Sequence, residues 1–342
     1  MDRFPGLRAL AWQNRILYAS RGYSLLSAEV GGATLAWRKA ASFRAPVWRK
    51  VNSVFNLSHR LFRDGFHALA VLTSGHMVAA VPGAIVTRGP ADEEFHISHR
   101  ITRGTRPLHF ASLPDGQIYW GEYFDNRQRD EVHIYGSADQ GKTWHVAYTF
   151  AKGSIRHVHN IVFDPWGDCL WILTGDDGRE CRILRASRDL RAIDTVLSGN
   201  QQARAVVLIP TAEGTYFSSD TPSEANHIFR LDSSGKVSIL ASINASSICG
   251  CRVGSVLFFS TMVEPSVVNR DRTVRVYGSL DGTHWNEMLN WKKDGWPSGL
   301  FQYGNAFFPD GDNATNVLAI STVAVVGDDL VTHLYRVEST VL

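Results

Sequence analysis

The feature that most constrains this chain is a recurrence of about 45 residues, repeated along its whole length. Each unit holds a short apolar strand, a turn rich in Gly, Asp or Asn, and a second apolar strand. Seven such hairpins begin at Ala9, His67, Leu108, His159, Ala205, Cys249 and Asn305. Turns such as Pro114-Asp115-Gly116 and Glu213-Gly214 close them. The strands are rich in Val, Ile, Leu and aromatics, and apolar at nearly every position rather than alternating. Strands covered on both faces read that way. Two further strand-like segments follow the hairpins, as in EVHIYGS from Glu131 and HVAYTF from His145. Four antiparallel strands per unit, repeated radially, is the blade of a propeller. The fold expected is therefore all-β: a seven-bladed β-propeller of four-stranded antiparallel blades, with six blades as the alternative, forming a single domain over residues 1–342.

Composition narrows the partners. With 44% hydrophobic residues the 342-residue chain can bury a large core. Lys+Arg of 35 against Asp+Glu of 33 leave a net charge of +2, which gives nucleic-acid binding little electrostatic support. No apolar run reaches membrane-spanning length, so no membrane partner is expected. The stretch MDRFPGLRALAWQNRILYAS has no apolar core behind a basic start, which makes a cytoplasmic location the expectation. Four cysteines are too few for a disulfide framework, and read as buried thiols.

Two turns between third and fourth strands share a pattern. Ser137-Ala-Asp139-Gln-Gly141-Lys-Thr143-Trp144 fits Ser-x-Asp-x-Gly-x-Thr-Trp, and Ser279-Leu-Asp281-Gly282-Thr-His-Trp285 is one residue shorter. The Asp can accept backbone N–H bonds, the Gly permits positive φ, and the Trp can pack between sheets. Asp139 and Asp281 are thus read as structural. With this blade pattern, the turns resemble the Asp-box (BNR-repeat) sialidase-like superfamily. That resemblance implies a propeller whose ligand is a carbohydrate. The superfamily includes six-bladed sialidases, seven-bladed relatives acting on polysaccharides, and non-enzymatic propellers. Phe43-Arg44-Ala45-Pro46 is a one-mismatch version of the sialidase Phe-Arg-Ile-Pro motif, but it falls between the first two blades.

Propeller connectivity then places the candidate site at the channel mouth opposite those turns. Segments entering blades there bring Arg103, Arg106, His109, Arg156, His157, His159, Arg204 and Tyr303; segments leaving second strands bring Glu122, Tyr123, Asp176 and Asp220. Carboxylates can serve as acid, base or nucleophile at a glycosidic bond, so Glu122 and Asp176, with His109 and His159, are the catalytic candidates. Arg156, Arg204, Tyr123, Asp220 and Tyr303 are the substrate-binding candidates. The leading expectation is a glycoside hydrolase on an acidic or bacterial polysaccharide. The alternatives are a polysaccharide lyase using His and Tyr, with Arg neutralising a uronate, and a non-catalytic propeller binding a glycan or a protein. No cofactor is expected; the alternative is a divalent metal on His109, His157 or His159.

Overall fold

The computed structural model describes residues 2–31 and 35–338. It is 51% strand and 7% helix. Five four-stranded sheets and one nine-stranded sheet hold the described strands. Four of the former run in simple order along the chain; their inner hairpins are Ala111–Ser112 with Ile118–Gly121, His157–Asp164 with Cys169–Gly175, Ala205–Thr211 with Gly214–Ser219, and Ser247–Val253 with Val256–Thr261. The nine-stranded sheet is two antiparallel four-stranded runs, Arg8–Asn14 to Arg38–Phe43 and Ala68–Val71 to Glu94–Arg100. Only two parallel residue pairs, Ser42 with Glu94 and Phe43 with Phe95, join their outer edges. Asp310–Asn313, the ninth strand, lies parallel to Arg8–Asn14. The last sheet is closed from both directions. Asn305–Phe307, Val317–Val323 and Val331–Arg336 pair in turn, and Asp2–Pro5 adds as the outer strand on Val331–Arg336.

All seven hairpins read from the sequence are present as paired strands. Their apolar runs have the burial expected of two-sided cover: every residue of Met77–Val81, Cys169–Gly175 and Val256–Thr261 is buried. Outer strands such as Val237–Ile243 are only partly covered. The core is divided into clusters that straddle neighbouring four-stranded runs. One joins Leu25 to Leu69 and Met77, another Ile85 to Ile118 and Trp120, another Leu173 to Ala205 and Phe217. The ring of contacts closes where Ala9 and Leu17 meet Ala319 and Leu334.

The Ser137–Trp144 turn shows how one sheet is fastened to the next. The Asp139 carboxylate accepts from Ser137 Oγ at 2.8 Å, Thr143 N at 2.9 Å and Thr143 Oγ1 at 2.7 Å. Gly141 has φ +82°, and a Cβ there would meet Val78 Cγ2 of the preceding sheet at 2.3 Å. Its carbonyl accepts from Thr87 Oγ1 of that sheet, and Trp144 Nε1 donates to Ser98 Oγ. At Ser279–Trp285, Asp281 likewise accepts from Thr283 N and His284 N, both at 2.8 Å.

One region departs from the sequence reading. Two short helices, Val47–Asn52 and Asn56–Phe62, stand between the first two strand runs. Each spans under two turns, too short to leave a readable period. They are fastened by Arg60, which donates to Phe301 O and pairs with Asp294. The apolar side chains of the helices and the link between them are largely open: Val47, Trp48, Val54, Phe55 and Leu57 are all more than half exposed.

Stability should follow this division. Phe217 is fully buried and stacks on Phe229 at a centroid distance of 4.8 Å. Phe217→Ala should cost about 3–5 kcal/mol in urea unfolding. Trp48→Ser, at 55% exposure, should change stability by less than about 0.5 kcal/mol. Equal losses in the two variants would contradict a core placed between the sheets.

Candidate functional site: a buried His–His–Asp cluster beside a basic axial cavity

The strand His157–Asp164 is innermost in its sheet and pairs with Cys169–Gly175. His157 faces Gly175 and Val158 faces Thr174, but Asn160 faces Leu173, so His159 is the extra residue of a bulge. Similar register shifts occur near the start of Arg8–Asn14, Ala205–Thr211 and Ser247–Val253. The bulge and the hairpin partner together build the cluster. His157 starts one strand, Gly175 ends the other opposite it, and Asp176 follows at once. Gly175 is needed by crowding, since a Cβ there would sit 3.2 Å from Cys181 Cα and 3.6 Å from His159 Cε1.

The side chains converge tightly. His157 Nε2 and His159 Nε2 are 3.0 Å apart. Asp176 places Oδ1 at 3.3 Å from His159 Nε2 and Oδ2 at 3.5 Å from His157 Nε2. His157 and His159 are 5% and 3% exposed. Arg156 reaches Asp176 Oδ2 at 3.1 Å, and Arg204 reaches Oδ1 at 3.2 Å. Arg156 also pairs with Asp125, and Arg204 with Asp220 at 3.5 Å. Gln201 Nε2 donates to the Asp176 carbonyl at 2.8 Å, fixing the loop that carries it. The Tyr123 ring lies against His157 at 4.3 Å and is 36% exposed, so it forms the outer wall.

Electrostatics separate these groups. Burial works against charge on Asp176, but its contacts with His157 and His159 outweigh it and hold the carboxyl far below its ordinary range. Burial pushes Asp220 up to about 7, helped by Glu264 and opposed by Arg204. Asp220 Oδ1 is buried with no hydrogen-bond partner. Burial lowers His159, whose ring is therefore neutral near pH 7. Burial, then Asp176 and Asp220, push the Tyr123 hydroxyl up to about 12, so it is a proton donor and not a phenolate.

A second group lies on the axis. A cavity of about 190 Å³ is lined by Leu10, Val206, Ile248 and Phe307, one from each of four innermost strands. Its polar wall is basic: Arg8, Arg63, Arg106 and His109, with Tyr303 beside them. Asp310 is its single carboxylate, and it is engaged by His109 Nδ1 at 3.0 Å. No ion pair among the described residues engages Arg8, Arg63 or Arg106. Arg8 Nη1 meets His67 Nδ1 at 3.2 Å, and Arg8 Nε is buried without a partner. Burial, then Arg8 and Arg63, lower Arg106 to about 9. Burial opposes the charge on His109, yet Asp310 raises its pKa above the ordinary histidine value. Tyr123 faces the histidines and does not line the cavity.

The residues singled out in the sequence therefore divide. Asp176, His159, Arg156, Arg204, Tyr123 and Asp220 come together. His109 and Tyr303 line the axial cavity instead. Glu122 joins neither group: its carboxylate is taken by Arg103, through Nε at 3.0 Å and Nη2, and by His133 N at 2.8 Å. Its place in the strand matches that of Asp176, but a basic loop residue reaches it first. Arg44 is exposed on an outer strand edge and pairs with Glu94 at 2.6 Å. Arg8 and Arg63 were missed. Arg8 opens an innermost strand, as His157 does, and that equivalence was the available signal. Arg63 follows a helix that leaves no periodicity to read.

Radial four-stranded sheets around an axial cavity make this chain a β-propeller. Its fold is WD40-like. It is similar to the WD40 β-propeller domain of Doa1 at 10% identity, covering 98% of this chain and 96% of that one, with a TM-score of 0.58. A chain in a mitotic checkpoint complex matches at 9% identity over 98% and 93%, with a TM-score of 0.56. A chain in a nidogen/laminin complex matches at 13% identity over 84% and 95%, with a TM-score of 0.51. No family model and no curated protein sequence matches this chain, so the likeness is one of fold alone.

The raised pKa of Asp220 has a sign that can be tested. The folded state holds its proton up to about pH 7, whereas an unfolded Asp releases it near its ordinary value of 3.8. Between those limits the folded state binds more protons, so this group's contribution to stability falls as pH rises. Unfolding free energies at pH 4.5 and 7.5 should show that fall in the native protein and a smaller one in Asp220→Asn. An identical pH dependence in both would mean that Asp220 is ionised in the fold.

Proposed function

We propose that this propeller binds an acidic saccharide at its axial mouth, with carboxylate groups of the sugar seated on Arg8, Arg63 and Arg106. The observation that carries this reading is the charge of one cavity: three guanidiniums without ion-pair partners, around a single carboxylate already held by His109. Guanidiniums bind carboxylates through paired hydrogen bonds, and a partly desolvated cavity strengthens them. Phe307 lies under Arg8 at 4.8 Å and offers an apolar face. Tyr303 supplies a phenol group in the cavity wall and Tyr123 one against the neighbouring histidines, both suited to stacking on or bonding to sugar rings.

Eliminative cleavage of a uronate is the second reading. A lyase needs a cation on the carboxylate, a base for the adjacent proton and an acid for the leaving oxygen. The basic cavity, neutral His159 and the protonated Tyr123 are of those kinds. Hydrolysis has less support, because Glu122 is spent on Arg103 and Asp176 is held ionised. An acid at a glycosidic oxygen must keep its proton near neutrality. Asp220 does so, but it is 95% covered.

For the architecture we infer seven blades. Seven hairpins and seven apolar clusters between sheets support that number. Kinship with the Asp-box superfamily rests on the Ser137–Trp144 and Ser279–Trp285 turns.

Calorimetric titration with a hexuronate oligosaccharide and its neutral hexose counterpart separates the readings. The acidic oligomer should bind and the neutral one should not, with affinity falling as salt rises. Arg63→Met and Arg106→Met should each weaken binding about tenfold, the lower range for a charged hydrogen bond. Appearance of an unsaturated product absorbing in the ultraviolet would select the lyase; binding without turnover would select a lectin-like propeller. Equal affinity for both oligomers would overturn the assignment.

A further inference from the structure

The imidazole contacts at the cluster contain a contradiction that one added cation resolves. His157 Nδ1 lies 3.0 Å from Phe124 O, and His159 Nδ1 lies 2.9 Å from Ala205 O. A carbonyl only accepts, so both Nδ1 atoms carry their hydrogens. In the neutral ring the other nitrogen, Nε2, is then a bare lone pair. Yet the two Nε2 atoms face each other at 3.0 Å, inside a site almost closed to water. The third group at this point is the Asp176 carboxylate, at 3.3 and 3.5 Å, which also only accepts while ionised. Three acceptors thus converge without a donor among themselves.

We propose that His157, His159 and Asp176 form a binding site for one divalent transition-metal ion of the zinc class. Nitrogen and oxygen ligands bind zinc at about 2.0–2.1 Å, and tetrahedral placing then separates ligand atoms by about 3.3 Å. His159 Nε2 lies 3.0 Å from His157 Nε2 and 3.3 Å from Asp176 Oδ1, while the second carboxylate oxygen, Oδ2, lies 3.5 Å from His157 Nε2. All three candidate ligand atoms fall within 4.8 Å of one another. The carbonyls on the two Nδ1–H groups are the outer partners that orient metal-binding histidines and fix their tautomer. Both come from fixed backbone: Phe124 follows the second strand of the preceding sheet, and Ala205 opens the first strand of the next. Arg156 holds one oxygen of the Asp176 carboxylate and Arg204 the other, and Asp125 offsets the charge of Arg156. Three protein ligands leave a fourth position for water or ligand, as in metal centres that take part in chemistry rather than in folding. The half-exposed Tyr123 ring marks the open side. This site is separate from the basic cavity, and stands whether or not that cavity binds a saccharide.

The rival resolution is a shared proton, with one histidine as imidazolium. Chelator-treated protein should take up one Zn²⁺ per chain, measured by mass spectrometry of the metal after gel filtration. Co²⁺ in its place should give the visible absorption of a four-coordinate nitrogen–oxygen site. Thermal unfolding should shift upward with saturating Zn²⁺. His157→Gln, His159→Gln and Asp176→Asn should each weaken uptake at least 100-fold, while His227→Gln, on the third strand of the next sheet, leaves it unchanged. The native protein alone decides the matter if a variant does not fold. Uptake of no more than a trace of Zn²⁺, with ¹⁵N shifts showing a proton between the two Nε2 atoms, would overturn the proposal. So would full uptake by a folded Asp176→Asn and His159→Gln double variant.

Discussion

Everything in this molecule depends on apolar contact between neighbouring sheets. No single four-stranded sheet here has a core of its own, since the buried clusters run between sheets. Leu173 needs Phe217 of the next sheet, and Ile85 needs Trp120. That dependence explains why inner strands are apolar at successive positions and why outer ones are not. It also explains the cost of the polar groups near the axis. They lie where sheets converge, so their surroundings are dry and their charges weakly screened.

Within that frame the cluster arises from a small backbone irregularity. A bulge sets His159 free of a cross-strand partner, and the hairpin brings Asp176 against the histidines from the opposite strand. The guanidiniums beyond them belong to segments entering the blades. No one element contains the site. Rigid backbone positions each group, and the carbonyls of two neighbouring sheets fix the histidine tautomers.

The hairpins were legible because two-sided burial writes itself into sequence as continuous apolar runs. The meeting of His159 with Asp176, Arg156 and Arg204 was legible too, because equivalent positions in a repeat fall on the same face. The same logic misled at Glu122. Equivalence fixes where a backbone position lies, but it says nothing of which neighbour's side chain arrives there, and Arg103 does. The basic cavity was hidden for another reason. Arg8, Arg63 and Arg106 are far apart in sequence and meet where three successive strand runs converge on one cavity. The Val47–Phe62 insertion interrupts the repeat, and its helices are too short to show a period.

The outer strand Asp2–Pro5 pairs with Val331–Arg336, although more than 300 residues separate them. Closure therefore joins strands far apart in sequence, a pairing that carries a loop-entropy cost. Arg8 sits three residues past that clasp and opens into the axial cavity. The same cavity takes Phe307 and Asp310 from the far side of the closure, so its wall is complete only when the first and last sheets lie together. A ligand touching both sides would thus favour the shut ring over the open one, and by thermodynamic reciprocity loosening the clasp would weaken the ligand. The joint between the first and last sheets is energetically part of the pocket.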